Sequence, residues 1–148
     1  RGHWRHNTGG VDLNRDWGQF TQPETQLMQR LLDAIAANEA QELRLMLDFH
    51  STDHDVFYTI PDELPTEPEL FTARWLERYG ELMPGYEVNR DSNHTAGSSV
   101  SKAYVYDTFG APGVTFELGD ETDRALIRQI GTQGAVAMME TLLADEAQ

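Results

Sequence analysis

The sequence predicts an α/β fold, a sheet covered by helices on both faces, from three observations. Short apolar segments with period-two alternation are interleaved with longer segments of helical period. Two of the short segments carry a titratable residue, His50 and Glu117, at or near their ends, where ligands of open α/β sheets gather. The chain of 148 residues, 39% of them apolar and without repeat or linker, suits one domain with a single core.

Taken in order, residues 1–14 open on Arg1 with no helix start, and Gly2, Gly9 and Gly10 lie among polar residues. This stretch reads either as a processed terminus or as the middle of a longer chain whose upstream part is absent here. Thr21-Gln22-Pro23-Glu24 has the pattern of a capping box, with Pro in the first turn where no intrahelical N–H is lost. Leu27, Met28, Leu31, Leu32 and Ile35 then recur at helical spacing, predicting a helix over 22–38. Leu43, Leu45, Leu47 and Phe49 alternate as a strand that delivers His50 at its end, and 56–60 is a second strand. Thr66-Glu67-Pro68-Glu69 repeats the capping pattern before Leu70, Phe71, Trp75, Leu76, Tyr79 and Leu82, a helix that Pro84-Gly85 ends. Residues 89–101 read as a polar loop, 114–118 as a short strand, and 122–144 as a helix with Gly131 and Gly134 inside it. Ser101 and Gly110 also fit the two ends of a short helix that would leave Lys102 exposed.

Charge and composition exclude several functions. With 11 Lys and Arg against 25 Asp and Glu, the formal charge is -14, so no nucleic-acid partner is expected. No apolar run approaches the roughly 18 residues of a membrane span. The absence of cysteine rules out disulfides, thiol catalysis and cysteine-rich metal sites.

Three places carry chemistry. In Val11-Asp12-Leu13-Asn14-Arg15-Asp16-Trp17, Arg15 offers a planar fork for a carboxylate and Asn14 a neutral donor; a solvated loop is the plain alternative. His50 is either a metal ligand or a satisfied strand-end histidine. Pairing it with His54, or pairing His3 with His6, would need a helix to align the rings, and Ser51 and Thr52 look like loop. Glu117, flanked by Phe116 and Leu118, either faces water from an edge strand or sits where apolar surroundings favour the protonated form. The second setting suits a general base.

The succession HWRHNTGGVDLNRDW, LMLDFHS and GVTFELGD resembles the M14 zinc carboxypeptidases, the carboxypeptidase A-like family, over nearly the whole chain. The resemblance implies that residues 1–148 are the C-terminal portion of a single catalytic domain with a mixed, mostly parallel sheet. It implies one zinc ion per complete domain, with His50 as third ligand and an H-x-x-E pair in a missing upstream half. Glu117 then activates water, Arg5 stabilises the oxyanion, and Asn14 and Arg15 grip a substrate carboxylate. Asp12 orients a zinc-ligating histidine. The family's mobile tyrosine falls at Thr95, which leaves Tyr104 and Tyr106 as candidate substrate-binding tyrosines. Lys102 falls at the position facing the substrate's terminal side chain. The implied substrate is a peptide or peptide-like molecule with a free C-terminal carboxylate. Two other readings stand beside this one: a non-catalytic carboxylate-binding module, and an amidase or deacylase on the same scaffold.

Overall fold

The computed structural model describes residues 5–146, so the expectations placed on Arg1, Gly2 and His3 lie outside the described residues. A 3-10 turn at Leu13–Arg15 precedes α1 (Pro23–Ala36), β1 (Met46–Thr52), β2 (Val56–Thr59) and α2 (Phe71–Leu82). Then follow β3 (Arg90–Ser92), α3 (Ser101–Phe109), β4 (Gly113–Gly119) and α4 (Arg124–Glu146). The four strands lie in the order β1-β4-β2-β3; β1 and β4 run parallel, as do β2 and β3, while β2 and β4 are antiparallel. The sheet is therefore mixed and mostly parallel, as expected.

Alternation sends each strand's side chains to two faces. One face packs Phe57, Val114 and Phe116 against Phe71, Trp75 and Tyr79 of α2 and Ile130 and Ala137 of α4. Phe57 and Phe116 stack with ring centroids 3.9 Å apart, a pair worth about 0.5–1.5 kcal/mol beyond its burial. Trp75 Nε1 donates to Gly134 O at 2.9 Å and ties α2 to α4. The other face is closed by α1 and α3, where Leu32 and Val105 join Trp17, Phe20 and Ala111, with Met46 of β1 packed against them.

Four local expectations are corrected. Neither capping box forms: Gln22, not Thr21, is the N-cap of α1, and Leu70, in a left-handed conformation (φ 52), precedes α2. The Thr21 hydroxyl is drawn to Asp16 and that of Thr66 to Pro68 O. β1 begins later than the apolar alternation and runs through Ser51 and Thr52, because its partner β4 continues the ladder to Gly119. Arg90–Ser92 is a polar edge strand inside the expected loop. Leu27 and Leu31 of α1 are exposed; only part of its apolar stripe meets the core.

Candidate active site

The β1–β4 ladder pairs His50 with Glu117. Opposed residues of neighbouring strands point to one face, and alternation adds Asp48, Thr115, Val56 and Tyr58 to the same side. This is the face beneath α3. Asp48 Oδ2 lies 2.9 Å from His50 Nε2 and accepts from Ser101 Oγ at 2.6 Å. The hydrogen bond that its ring donates to Asp48 holds His50 above the usual imidazole value against the effect of burial, helped by the charges of Asp48, Glu117 and Asp12. Burial pushes Asp48 up, but hydrogen bonds from His50 and Ser101 outweigh it and hold the carboxyl below its usual range. With Nε2 committed to Asp48, Nδ1 is the ring nitrogen left to face a ligand.

Glu117 is half-buried, and its Oε2 is buried with no hydrogen-bond partner among the described residues. Leaving such an acceptor unpaired costs about 1–3 kcal/mol, so Oε2, like the equally orphaned His94 Nδ1, calls for a partner such as water, an ion or a ligand.

The segment before α1 supplies the second part of the site. Asp12 caps the 3-10 turn by accepting from Asn14 N at 3.1 Å, and it holds Arg5 through Nε at 2.9 Å. A backbone bridge between His6 and Asp12 brings these residues together. Asp12 makes no hydrogen bond to His50; Asp48 does. Arg5 is exposed, as is Arg15, whose Nη1 donates to Asn14 O at 2.7 Å. Asn14 Oδ1 accepts from Ser101 N at 2.9 Å and so binds the turn to the start of α3.

Asp16 anchors this segment. Its buried carboxylate accepts from Thr21 N, Thr21 Oγ1, Gln22 N and Thr25 Oγ1. Burial disfavours the charged form, yet the hydrogen bonds from Thr21 and Thr25 prevail and hold the carboxyl at about 2.

The remaining candidates stand elsewhere. Tyr104 packs its ring against Trp17 and Phe20, with centroids 5.8 and 4.9 Å away. Tyr106 meets His94 edge-on at 4.9 Å, and His94 Nε2 lies 2.9 Å from Asp107 Oδ1. Lys102 lies on the short helix α3 but is not exposed. It is 7% accessible, and its ammonium donates to Thr59 O, Asn93 O and Asn93 Oδ1. Its charge is spent on backbone and amide oxygens because α3 is pressed onto the sheet. Asp48 and Ser101 are site residues that the motif reading passed over. The D-x-H spacing carries the signal for Asp48, since alternation puts it beside His50; the sequence marks Ser101 only as a helix start, and the N-cap proves to be Val100.

Among the described residues, no group of three or more His, Cys, Asp or Glu could hold a metal ion. His54 pairs with Asp53 at 2.8 Å and His6 is exposed, so neither joins His50. The donors present fit one corner of a metal site: an imidazole oriented by a carboxylate, with an orphaned carboxylate oxygen on the next strand. A cleft of about 420 Å³ between the end of α2 and the start of α4 includes none of these residues.

Fold and site together define a mixed α/β scaffold with a histidine and a glutamate side by side on its sheet. The profile of the succinylglutamate desuccinylase/aspartoacylase catalytic domain matches residues 3–144, and the chain belongs to that family. The carboxypeptidase A-like expectation is thereby narrowed to a related scaffold. A metallo-carboxypeptidase from Burkholderia cenocepacia superposes with a TM-score of 0.67 at 17% identity, covering 95% of this chain and 39% of its own. The succinylglutamate desuccinylase from Chromobacterium violaceum gives 0.52 at 19% identity, covering 87% and 44%. A mutant of murine aminoacylase 3 gives 0.59 at 14%, covering 92% and 47%. These likenesses show a shared fold, and the chain spans less than half of each of those chains. No curated protein matches by sequence.

Proposed function

We propose that this chain is the C-terminal portion of the catalytic domain of a zinc-dependent hydrolase. It would cleave an amide bond in a substrate that carries a free carboxylate, with N-acylated amino acids as the favoured class. The observation that carries the reading is the buried, unpartnered Oε2 of Glu117 on the strand next to His50. Membership of the desuccinylase/aspartoacylase family supports an acyl-amino-acid substrate. The likeness in fold to a metallo-carboxypeptidase supports a second reading, a peptide with a free C-terminus.

His50 would hold the zinc through Nδ1, and an H-x-x-E pair from a segment preceding Arg1 would complete the ligand set. Zinc, when bound, supplies a lower pKa for water and a Lewis acid for the carbonyl. Glu117 Oε2 accepts the proton of the attacking water and passes it to the leaving amine, which is why an acceptor without an internal partner is useful there. Arg5 donates to the carbonyl oxygen as negative charge grows on it. Asn14 and Arg15 bind the substrate carboxylate, Arg15 through its fork.

The test is metal content and turnover of the complete protein on N-acyl amino acids against peptides. Stoichiometric zinc with faster hydrolysis of N-acyl amino acids supports the first reading; preference for peptides supports the second. A metal-free protein that binds carboxylates without turning them over would leave only a binding module.

A further inference from the structure

Ser101 joins the two parts of the site. It is fully buried, its Oγ donates to Asp48 Oδ2 at 2.6 Å, and that same oxygen faces His50 Nε2 at 2.9 Å. Its backbone N donates to Asn14 Oδ1 at 2.9 Å. Ser101 is the first residue of α3, after the N-cap Val100, so this N–H has no partner within its own helix and Asn14 satisfies it. The helix cannot draw back from the sheet easily. A Cβ at Gly113 would lie 2.4 Å from Lys102 O, which shows how closely the start of α3 is pressed onto β4.

We propose that Ser101 is a positioning residue. It fixes the Asp48 carboxylate, and through it the His50 ring, while its backbone sets the Asn14 amide for the substrate carboxylate. The proposal rests on the reading that His50 binds zinc. A carboxylate that orients a ligand imidazole must itself be held; otherwise it rotates and the ring follows. Asp48 Oδ2 has one donor besides His50 among the hydrogen bonds described, and that donor is Ser101 Oγ. The link to Asn14 runs through the main chain and survives side-chain substitution, so Ser101→Ala removes the Asp48 arm alone.

The experiment measures zinc affinity of the complete protein by chelator competition at fixed pH, with urea unfolding of the metal-free forms as a control for folding. Ser101→Ala should weaken zinc binding roughly tenfold to a hundredfold, as loss of a partner of a metal ligand does. Ser101→Cys keeps the branch and a weak donor on a slightly larger atom and should fall between; it decides the matter if the alanine variant does not fold. In an Asp48→Asn background, Ser101→Ala should add no further loss. Unchanged affinity in Ser101→Ala, or an equal loss with and without Asp48, overturns the proposal. His50→Ala separates the two levels: if it loses zinc while Ser101→Ala does not, only the Ser101 role fails. If His50→Ala keeps full affinity, the zinc reading fails and the Ser101 role with it.

Discussion

Glu117 stands opposite His50 in the parallel ladder between β4 and β1, and both side chains project to the face covered by α3. Two adjacent strand residues thus set an oriented imidazole beside a carboxylate oxygen that has no internal partner. Such a pair suits a ligand and a base that act on the same water.

Glu117→Gln in the complete protein should abolish turnover while zinc content stays at the wild-type level. The amide preserves shape but cannot take a proton. Metal analysis alongside a rate assay checks it, and near-normal activity would remove the proposed base.

The 148-residue chain by itself should bind zinc weakly and hydrolyse nothing. A catalytic zinc site needs three protein ligands and the described residues bring only His50 toward one. Dialysis followed by metal analysis is the check; tight stoichiometric zinc would point to His54, His6 or His3 as further ligands.

Arg15→Ala should weaken binding of a carboxylate substrate by about 1.5–3 kcal/mol, the range for a charged hydrogen bond. Arg5→Ala should act on the rate, lowering turnover roughly 10²–10³-fold as loss of an oxyanion donor does. Steady-state kinetics on one substrate distinguishes the two, and a purely structural Arg5 would leave kcat nearly unchanged.

Asp16 should make the fold sensitive to acid. Its carboxyl sits at about 2 in the folded protein against an ordinary 3.8, so the unfolded chain binds more protons between those values. The stabilisation is present above 3.8 and is lost as pH falls through 2. Urea unfolding from neutral pH downward should therefore show a steeper loss of stability in the wild type than in Asp16→Asn. The variant should already be less stable at neutral pH by about 1–3 kcal/mol, because buried donors lose their acceptor.

Lys102→Ala should cost stability, about 2–4 kcal/mol, through the cavity and the carbonyls it leaves unpaired. The ratio of rates on substrates ending in Glu and in Leu should not change, since the ammonium is bound to Thr59 and Asn93. A shift in that ratio would return Lys102 to the substrate.

The sequence by itself determined what is periodic or local. Alternation around Asp48 and His50, the helical spacing in α2, and the stops at Gly110 and Pro84-Gly85 are short-range signals, and the elements they mark formed near their expected places, unlike β3, which no such signal marks. The place of Glu117 within a short apolar strand was legible for the same reason. Only the tertiary structure decided who partners whom. Thr21 and Thr66 have the chemistry of caps, but Asp16 and Pro68 compete for their hydroxyls and win by proximity. Lys102 has the composition of a surface residue, yet α3 packs so closely on β4 that its ammonium is buried among carbonyls. Ser101 signals a helix start, but the N-cap is Val100 and the Ser101 hydroxyl goes to Asp48 instead, a role its own neighbourhood does not mark. Its role exists because residues 53 and 87 positions away, Asp48 and Asn14, arrive at its side chain and backbone. Hydrogen bonds across such separations depend on how the layers stack, and no window of sequence contains that information.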